Sequence, residues 1–390
     1  MPHHLSRRTA TEDGRRVKIL FGINKLNVGG AERIVLNQVH AIDRTQYDPY
    51  LVTLLPPTEP NFDHEVEYLG ANWKKLSFRG TLDVVSWWKL YRYLRHERFD
   101  AVISNLFFTG LLLRTAAVAA RVPVILATEL NVYGDRSRRW IYIEKLLARF
   151  TYRIMANSKE VLEAASRQLD LPREKFLLNY STVDTKAIQP ATPSLRSLAR
   201  EKYDIHADAL VFATAGRLVE QKGQRYLIEA FGTVSASGGT QIKLIIFGEG
   251  AYRRPLEEQV KKAGLEDKVV LPGVAPIGDI TAVADVFVLP SLWEGMSLVL
   301  LEAMAGGLPI VATDVSGSRE LVSEANGFLV RPKDAAALAK KMQVLADDAA
   351  LRVRLGAASR TEAQKYSVEH NLEKVYETID AALKEYHKAL

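Results

Sequence analysis

The sequence contains no cysteine. Disulfides, thiolate metal sites and cysteine nucleophiles are therefore excluded, and the chain suits a reducing compartment. No Asp-x-Asp occurs, so a carboxylate-held metal gripping a diphosphate has no support. The histidines are scattered, only His3 and His4 lie close together, and none shows metal-ligand spacing. Long uncharged runs are missing as well. The two longest apolar stretches, Phe107–Leu126 and Leu298–Ala312, are interrupted by Arg114, Arg121 and Glu302. Neither reads as a membrane span. The N-terminus lacks the apolar segment of a secretory signal, which points to a cytoplasmic chain. Low-complexity tracts and long repeats are also lacking.

What is present suits two globular domains, since 390 residues exceed one typical core. The positive charge is uneven. Residues 1–190 hold 28 Lys and Arg against 20 Asp and Glu, whereas the remainder hold 24 against 26. The excess in the first half suggests an anionic partner there: a membrane surface, a pyrophosphate lipid or nucleic acid. Ordinary variation among solvated faces is the alternative. No recognised nucleic-acid module is visible, which disfavours that partner.

Short apolar runs alternate with helical patterns throughout. In the first half they are Val17–Ile23, Tyr50–Leu55, Ala101–Asn105, Val122–Thr128 and Ile154–Asn157. In the second they are Leu210–Thr214, Ile242–Phe247, Lys268–Leu271, Val286–Pro290, Ile310–Thr313 and Phe328–Val330. Most are nearly continuous rather than alternating, as parallel strands covered on both faces require. The chain thus reads as two doubly wound α/β domains. Their seam is expected near Asp184–Leu210, which holds Pro190 and Pro193 and no clear strand. The segment Ser367–Lys388 reads as one amphipathic helix on Leu372, Val375, Ile379 and Leu383. It is expected near the seam, bridging the halves.

The strongest chemical constellation is Trp293–Gly307, which follows a strand ending at Leu289-Pro290-Ser291. Ligands of doubly wound folds sit beyond the carboxyl ends of strands. Ser297 as N-cap and Gly306-Gly307 as stop predict a helix over Leu298–Ala305. Its N-terminus can receive a phosphate, and Gly295 permits close backbone approach. Glu294 in the loop and Glu302 in the helix are natural acceptors for sugar and ribose hydroxyls. Exposed glutamates are common, so either alone could be a solvated residue. Glu302 argues against that, because a charge in an apolar helix needs a partner. A second candidate is the turn Gly216–Gly223 after a strand, where Arg217 and Lys222 suit phosphate. A third is Gly29-Gly30, which opens a helical pattern over Ala31–His40 and forms a backbone anion cradle. Surface cations beside a tight turn remain the plain alternative for both. Gly248 begins a Gly-x-Gly that is not completed to Gly-x-Gly-x-x-Gly, which disfavours nicotinamide and flavin.

The pair Glu294…Glu302, set in Glu-Gly-Met-Ser…Glu-Ala-Met-Ala, resembles the C-terminal donor motif of family 4 retaining glycosyltransferases of GT-B architecture. Gly216–Gly223 resembles that family's phosphate-binding loop, Gly248-Glu249-Gly250 its second turn, and Leu271-Pro272-Gly273-Val274 the turn that contacts the base. Asn27–Arg33 resembles its N-terminal glycine loop; Gly317–Glu320 and Asn326–Val330 also fit. The resemblance runs from about Lys18 to Ser367. It implies two Rossmann-like domains facing a central cleft, with the C-terminal helix near the seam. The expected acceptor-side domain is 16–186 with the returning segment 367–390, and the expected donor domain is 187–366. It implies transfer of a sugar from a UDP- or GDP-sugar with retained configuration, without metal or other cofactor. Arg217, Lys222 and Glu294 would carry the chemistry. Gly29, Gly30, Gly216, Gly248, Val274, Gly295, Met296, Ser297, Leu298 and Glu302 would bind the donor.

One departure stands out. Members often carry a histidine after the strand matching Val122–Thr128, and Leu130 stands at that place here. Glu129 and Asn131 are then candidate polar contacts to sugar or acceptor, as is Asn105 at its own strand end; each is equally readable as a strand-end surface residue. For the acceptor, two basic-aromatic stretches stand out, Trp87–Arg95 and Arg136–Tyr142 continuing to Lys145, Arg149 and Arg153. Either can form an interfacial helix. They suggest docking on the inner membrane face and a polyprenyl-diphosphate-linked or other membrane-associated glycan acceptor. Core-facing aromatics with a solvated basic face are the alternative. A nucleotide-sugar 2-epimerase of the same architecture, or an inactive GT-B binding module, are the rival functions.

Overall fold

The apolar runs of the first half become parallel strands because residues of both parities are hydrophobic, so both faces of the sheet demand cover. The computed structural model describes residues 14–59, 61–130, 137–237 and 241–389. The chain divides into two units, Met1–Tyr180 with Val368–Leu390, and Ser181–Ser367.

The first unit holds β1 (Val17–Ile23), β2 (Tyr47–Thr53), β3 (Trp73–Lys75), β4 (Ala101–Asn105), β5 (Val124–Glu129), β6 (Arg153–Ala156) and β7 (Phe176–Leu178). They run parallel in the order β3-β2-β1-β4-β5-β6-β7. Successive side chains point to opposite faces. Ile19, Phe21, Leu51, Ile103 and Leu126 share a core with the helices Gly30–Ala41 and Val368–Ala389. Leu20, Val52, Val102 and Ile125 pack beneath the helices Val84–Glu97 and Phe107–Ala120. The three-residue strands β3 and β7 were too short to show a pattern in the sequence.

The terminal helix is an integral part of this unit. Val375, Ile379, Ala382 and Leu383 belong to its core. Tyr376 stacks on Tyr47 with ring centroids 4.1 Å apart, and its hydroxyl accepts from the Asp43 amide at 2.9 Å. Asn371 accepts from Gln38 at 3.1 Å and donates to the Tyr180 carbonyl at 2.8 Å. Three of the four stripe residues named from the sequence, Val375, Ile379 and Leu383, thus pack into the core of this unit.

The second unit holds β8 (Leu210–Ala215), β9 (Ile242–Phe247), β10 (Val269–Gly273), β11 (Val286–Leu289), β12 (Ile310–Thr313) and β13 (Gly327–Val330), in the order β10-β9-β8-β11-β12-β13. Strand order reverses between β8 and β11, the switch point where doubly wound sheets open a crevice.

The segment Asp184–Leu210, expected to hold the seam and no clear strand, contains a helix, Pro193–Lys202. Thr192 caps it by accepting from the Leu195 amide at 3.3 Å, and Pro193 starts it with a preset φ. Asp285 holds the helix to the sheet. Its carboxylate accepts from Arg200 at 2.9 Å and the Val211 amide at 2.8 Å, and it also pairs with Arg196. The Arg200 side chain is only 7% exposed. Asp285→Ala strands that charge and is expected to cost about 3 kcal/mol, read as a lower urea midpoint with the slope unchanged.

Candidate functional site

Three loops leave the carboxyl ends of β8, β9 and β11 and are stitched together by their main chains. Gly216 lies at φ +149 and Gly248 at φ +132; a Cβ on Gly248 would come within 1.9 Å of the Gly216 carbonyl oxygen. Gly250 lies at φ +156 against the Leu218 carbonyl, 2.3 Å from where its Cβ would be. Only glycine lets these turns press backbone to backbone. The Leu218 amide donates to Glu249 O at 2.8 Å, and the Gly248 amide to Gly273 O at 2.8 Å. From the other side, the Leu292 amide donates to Gln221 O at 2.7 Å, and Gln221 Nε2 to Trp293 O at 2.9 Å.

This scaffold fixes the charged residues at the switch point. Lys222 ends a short 3-10 turn, Glu220–Lys222, and its methylenes lie along Gly216. Its ammonium meets Glu294 Oε1 at 2.5 Å, with the two side chains 15% and 8% exposed. Ser291 Oγ donates to the same carboxylate oxygen at 2.7 Å. The loops after β8 and β11, far apart in sequence, thus share one hydrogen-bonded ion pair. Arg217 is exposed beside it, and its guanidinium has no hydrogen bond or ion pair among the described residues.

The helix Leu298–Ala305 begins as expected, with Ser297 at its N-cap position. The Ser297 hydroxyl makes no capping bond and is buried without a hydrogen-bond partner among the described residues. The first-turn amides therefore depend on something other than this side chain. Met296 and Ser297 are buried, and Gly295 is packed under Gly317, whose Cβ would fall 1.9 Å from the Gly295 carbonyl. Met296 is 7% exposed, so its side chain offers little surface to a ligand. Glu302 is half-buried on the helix, one turn beyond its start. Val274 is 60% exposed after Gly273 at φ +93, so its turn presents an open apolar edge.

In the first unit, Gly29 is extended and caps the helix Gly30–Ala41. The Glu32 carboxylate folds back to within 2.5 Å of a Cβ built on Gly29. Glu32 stands at the third helical position, from which a carboxylate serves the N-cap. Asn105, a candidate sugar or acceptor contact, is turned into the sheet. It is 1% exposed, donates to Gly22 O at 3.1 Å and accepts from Thr128 Oγ1 at 2.7 Å. Its amide ties β4 to β1 and β5 and is spent on the sheet. Glu129 is half-buried at the end of β5, and Asn131 lies outside the described residues. Leu106, between β4 and the Phe107 helix, adopts φ +68, a strained conformation for a bulky residue.

The basic-aromatic stretches divide. Trp87 packs edge-on against Phe78 and donates to Thr81 O at 2.8 Å, so it is a structural residue. Val84, Val85, Trp88 and Tyr91 face outward along the same helix, with Arg92 over the Trp88 ring. On the helix Arg138–Ala148, Tyr142 and Leu146 are exposed, and Phe150 follows just beyond it; Arg138, Arg139 and Arg149 flank them. That helix is anchored from within by a buried ion pair between Arg114 and Glu144. No helix among the described residues is long and apolar enough to cross a membrane.

Ser291 and Gln221 escaped the sequence reading. A serine at a strand end and a glutamine in a turn carry no motif of their own; only the folded loops give them partners.

Residues 196–362 match the family model described as Glycosyl transferases group 1, and residues 29–180 match the Glycosyl transferase 4-like domain. An Escherichia coli relative, UDP-Gal:alpha-D-GlcNAc-diphosphoundecaprenol alpha-1,3-galactosyltransferase, is 27% identical over 84% of this chain and 87% of its own. A GDP-mannose-dependent monoacylated alpha-(1-6)-phosphatidylinositol monomannoside mannosyltransferase of Corynebacterium glutamicum is 33% identical over 47% of this chain and 50% of its own. Among solved structures, Anabaena HepE in complex with UDP and glucose shares the fold at a TM-score of 0.82 and 22% identity, over 94% of this chain and 100% of its own. Sucrose-phosphate synthase from Thermosynechococcus elongatus shares it at 0.74 and 22%, over 94% and 100%.

Proposed function

Since the chain belongs to the family 4 glycosyltransferases of GT-B architecture, we propose that it moves a sugar from a UDP- or GDP-sugar to a lipid-linked or cell-surface polysaccharide acceptor with retention of configuration. The observation that carries this reading is the Lys222–Glu294 pair at the β8/β11 switch point, beside exposed Arg217 and the N-terminus of the Leu298 helix. Arg217, Lys222 and the helix N-terminus offer positive charge to a diphosphate, with no metal or cofactor needed in this reading. The second oxygen of Glu294 serves the sugar hydroxyls, and Glu302 serves the ribose. In the transfer step the acceptor oxygen bonds to the anomeric carbon as the bond to the diphosphate oxygen breaks. The acceptor's proton passes to the leaving diphosphate on the same face. The protein's part is positioning and charge stabilisation.

A melting-temperature panel of UDP-, GDP- and ADP-sugars tests this, followed by product analysis of whichever donor stabilises the chain. A shift of several degrees with transfer or slow hydrolysis is expected. Interconversion of sugars would favour an epimerase, and the absence of any shift would favour an inactive module, for which Leu130 in the histidine's place is the supporting feature.

The acceptor side rests on the outward aromatic residues. Tyr142, Leu146 and Phe150 ringed by arginines suit the boundary of an anionic bilayer, as do Trp88 and Arg92. The E. coli relative's name carries a diphosphoundecaprenol-linked acceptor, which supports a lipid-linked acceptor here. Sedimentation with phosphatidylglycerol vesicles at low salt is expected to carry the protein down, and raised salt to release it. A chain that stays in the supernatant at low salt would sink the membrane reading.

A further inference from the structure

We infer that Glu294, through its ion pair with Lys222, makes the site select the intact nucleotide sugar over the bare nucleoside diphosphate that transfer leaves behind. This rests on the donor-site reading above. In the empty protein the better-buried cation is already neutralised. Lys222 Nζ is 2.5 Å from Glu294 Oε1, and Ser291 Oγ adds a second donor to that oxygen at 2.7 Å. The lysine stem is packed along Gly216, which keeps the ammonium beside the carboxylate where a diphosphate would meet both. The neighbouring Arg217 guanidinium is exposed and has no hydrogen bond or ion pair among the described residues.

A diphosphate arriving at Lys222 therefore arrives at a carboxylate too. Like charges in a partly buried setting repel strongly, because little water screens them. The intact donor offsets this with sugar hydroxyls, which donate to the carboxylate and turn a repulsive neighbour into an acceptor. The free nucleoside diphosphate has no such hydroxyls, and its terminal phosphate carries an additional negative charge. The same carboxylate thus holds the donor and expels the product. Selectivity of this kind comes from a built-in repulsion as much as from attraction. It also speeds product release, the step that often limits turnover.

Calorimetric titration of UDP and GDP into the wild type and into Glu294→Gln tests the inference. Glutamine keeps the shape but removes the charge. The expected result is roughly tenfold tighter binding of the diphosphate that the wild type accepts, about 1.4 kcal/mol, with uridine or guanosine binding unchanged. The matching nucleotide sugar is expected to gain nothing or to weaken. Equal or weaker diphosphate binding in Glu294→Gln overturns the inference while leaving the donor site intact. A wild type that binds neither diphosphate overturns the donor-site reading itself. Glu294→Ala serves as the second variant should the glutamine form not fold, with the same direction expected.

Discussion

Glu294→Ala is expected to lower kcat/KM for transfer by at least about 100-fold, with the loss mainly in kcat. The carboxylate sits where the loops after β8 and β11 meet, 8% exposed and tied to Lys222 and Ser291. Its removal does two things. It takes away the acceptor for the sugar hydroxyls, so the anomeric carbon is no longer held with the face that the diphosphate leaves turned to the acceptor oxygen. It also frees Lys222 to bind the diphosphate without a counter-charge, which favours the product-bound enzyme. Initial rates with saturating donor check the first effect, and product inhibition checks the second. Undiminished transfer would remove Glu294 from the site's chemistry.

Lys222→Ala and Arg217→Ala are expected to reduce transfer by a similar factor, and yet to differ in stability. Each removes one positive charge from the developing diphosphate, an effect of about 100-fold for a single donor of this kind. Lys222, however, is also the partner of a nearly buried carboxylate. Its loss leaves Glu294 with Ser291 alone and is expected to cost about 2 kcal/mol of folding free energy. The Arg217 side chain is exposed and makes no hydrogen bond or ion pair among the described residues, so Arg217→Ala is expected to melt with the wild type. Paired kinetics and thermal melts separate the two. A stable Lys222→Ala would mean that the ion pair contributes little to the fold.

Much of the architecture was legible beforehand. The apolar runs over Val17–Ile23, Ala101–Asn105, Ile242–Phe247 and Ile310–Thr313 became strands with those bounds, because an uninterrupted apolar run of that length suits a strand buried on both faces. The helix Leu298–Ala305 kept its ends; the glycine pair closes it, with the Gly306 amide on Glu302 O and the Gly307 amide on Met304 O, while Ser297 holds the N-cap position without a capping bond. The strands Trp73–Lys75 and Phe176–Leu178 were invisible, because three residues carry no period and depend on a neighbour for pairing. The helix Pro193–Lys202 was missed because its stability comes largely from Asp285, nearly ninety residues on.

The Glu294–Lys222 pairing shows where the boundary lies. Residue types, glycine turns and local helix caps were determined by the sequence itself, because each depends on neighbours within a few residues. They sufficed to mark the loops and residues of the candidate donor site. What Asn105, Met296 and Glu294 touch was decided only by the tertiary structure. Asn105 is consumed by sheet hydrogen bonds, Met296 is turned inward, and Glu294 is joined to a lysine seventy-two residues away. A side chain's partner depends on which loops the strand order brings together, and strand order is a property of the whole sheet.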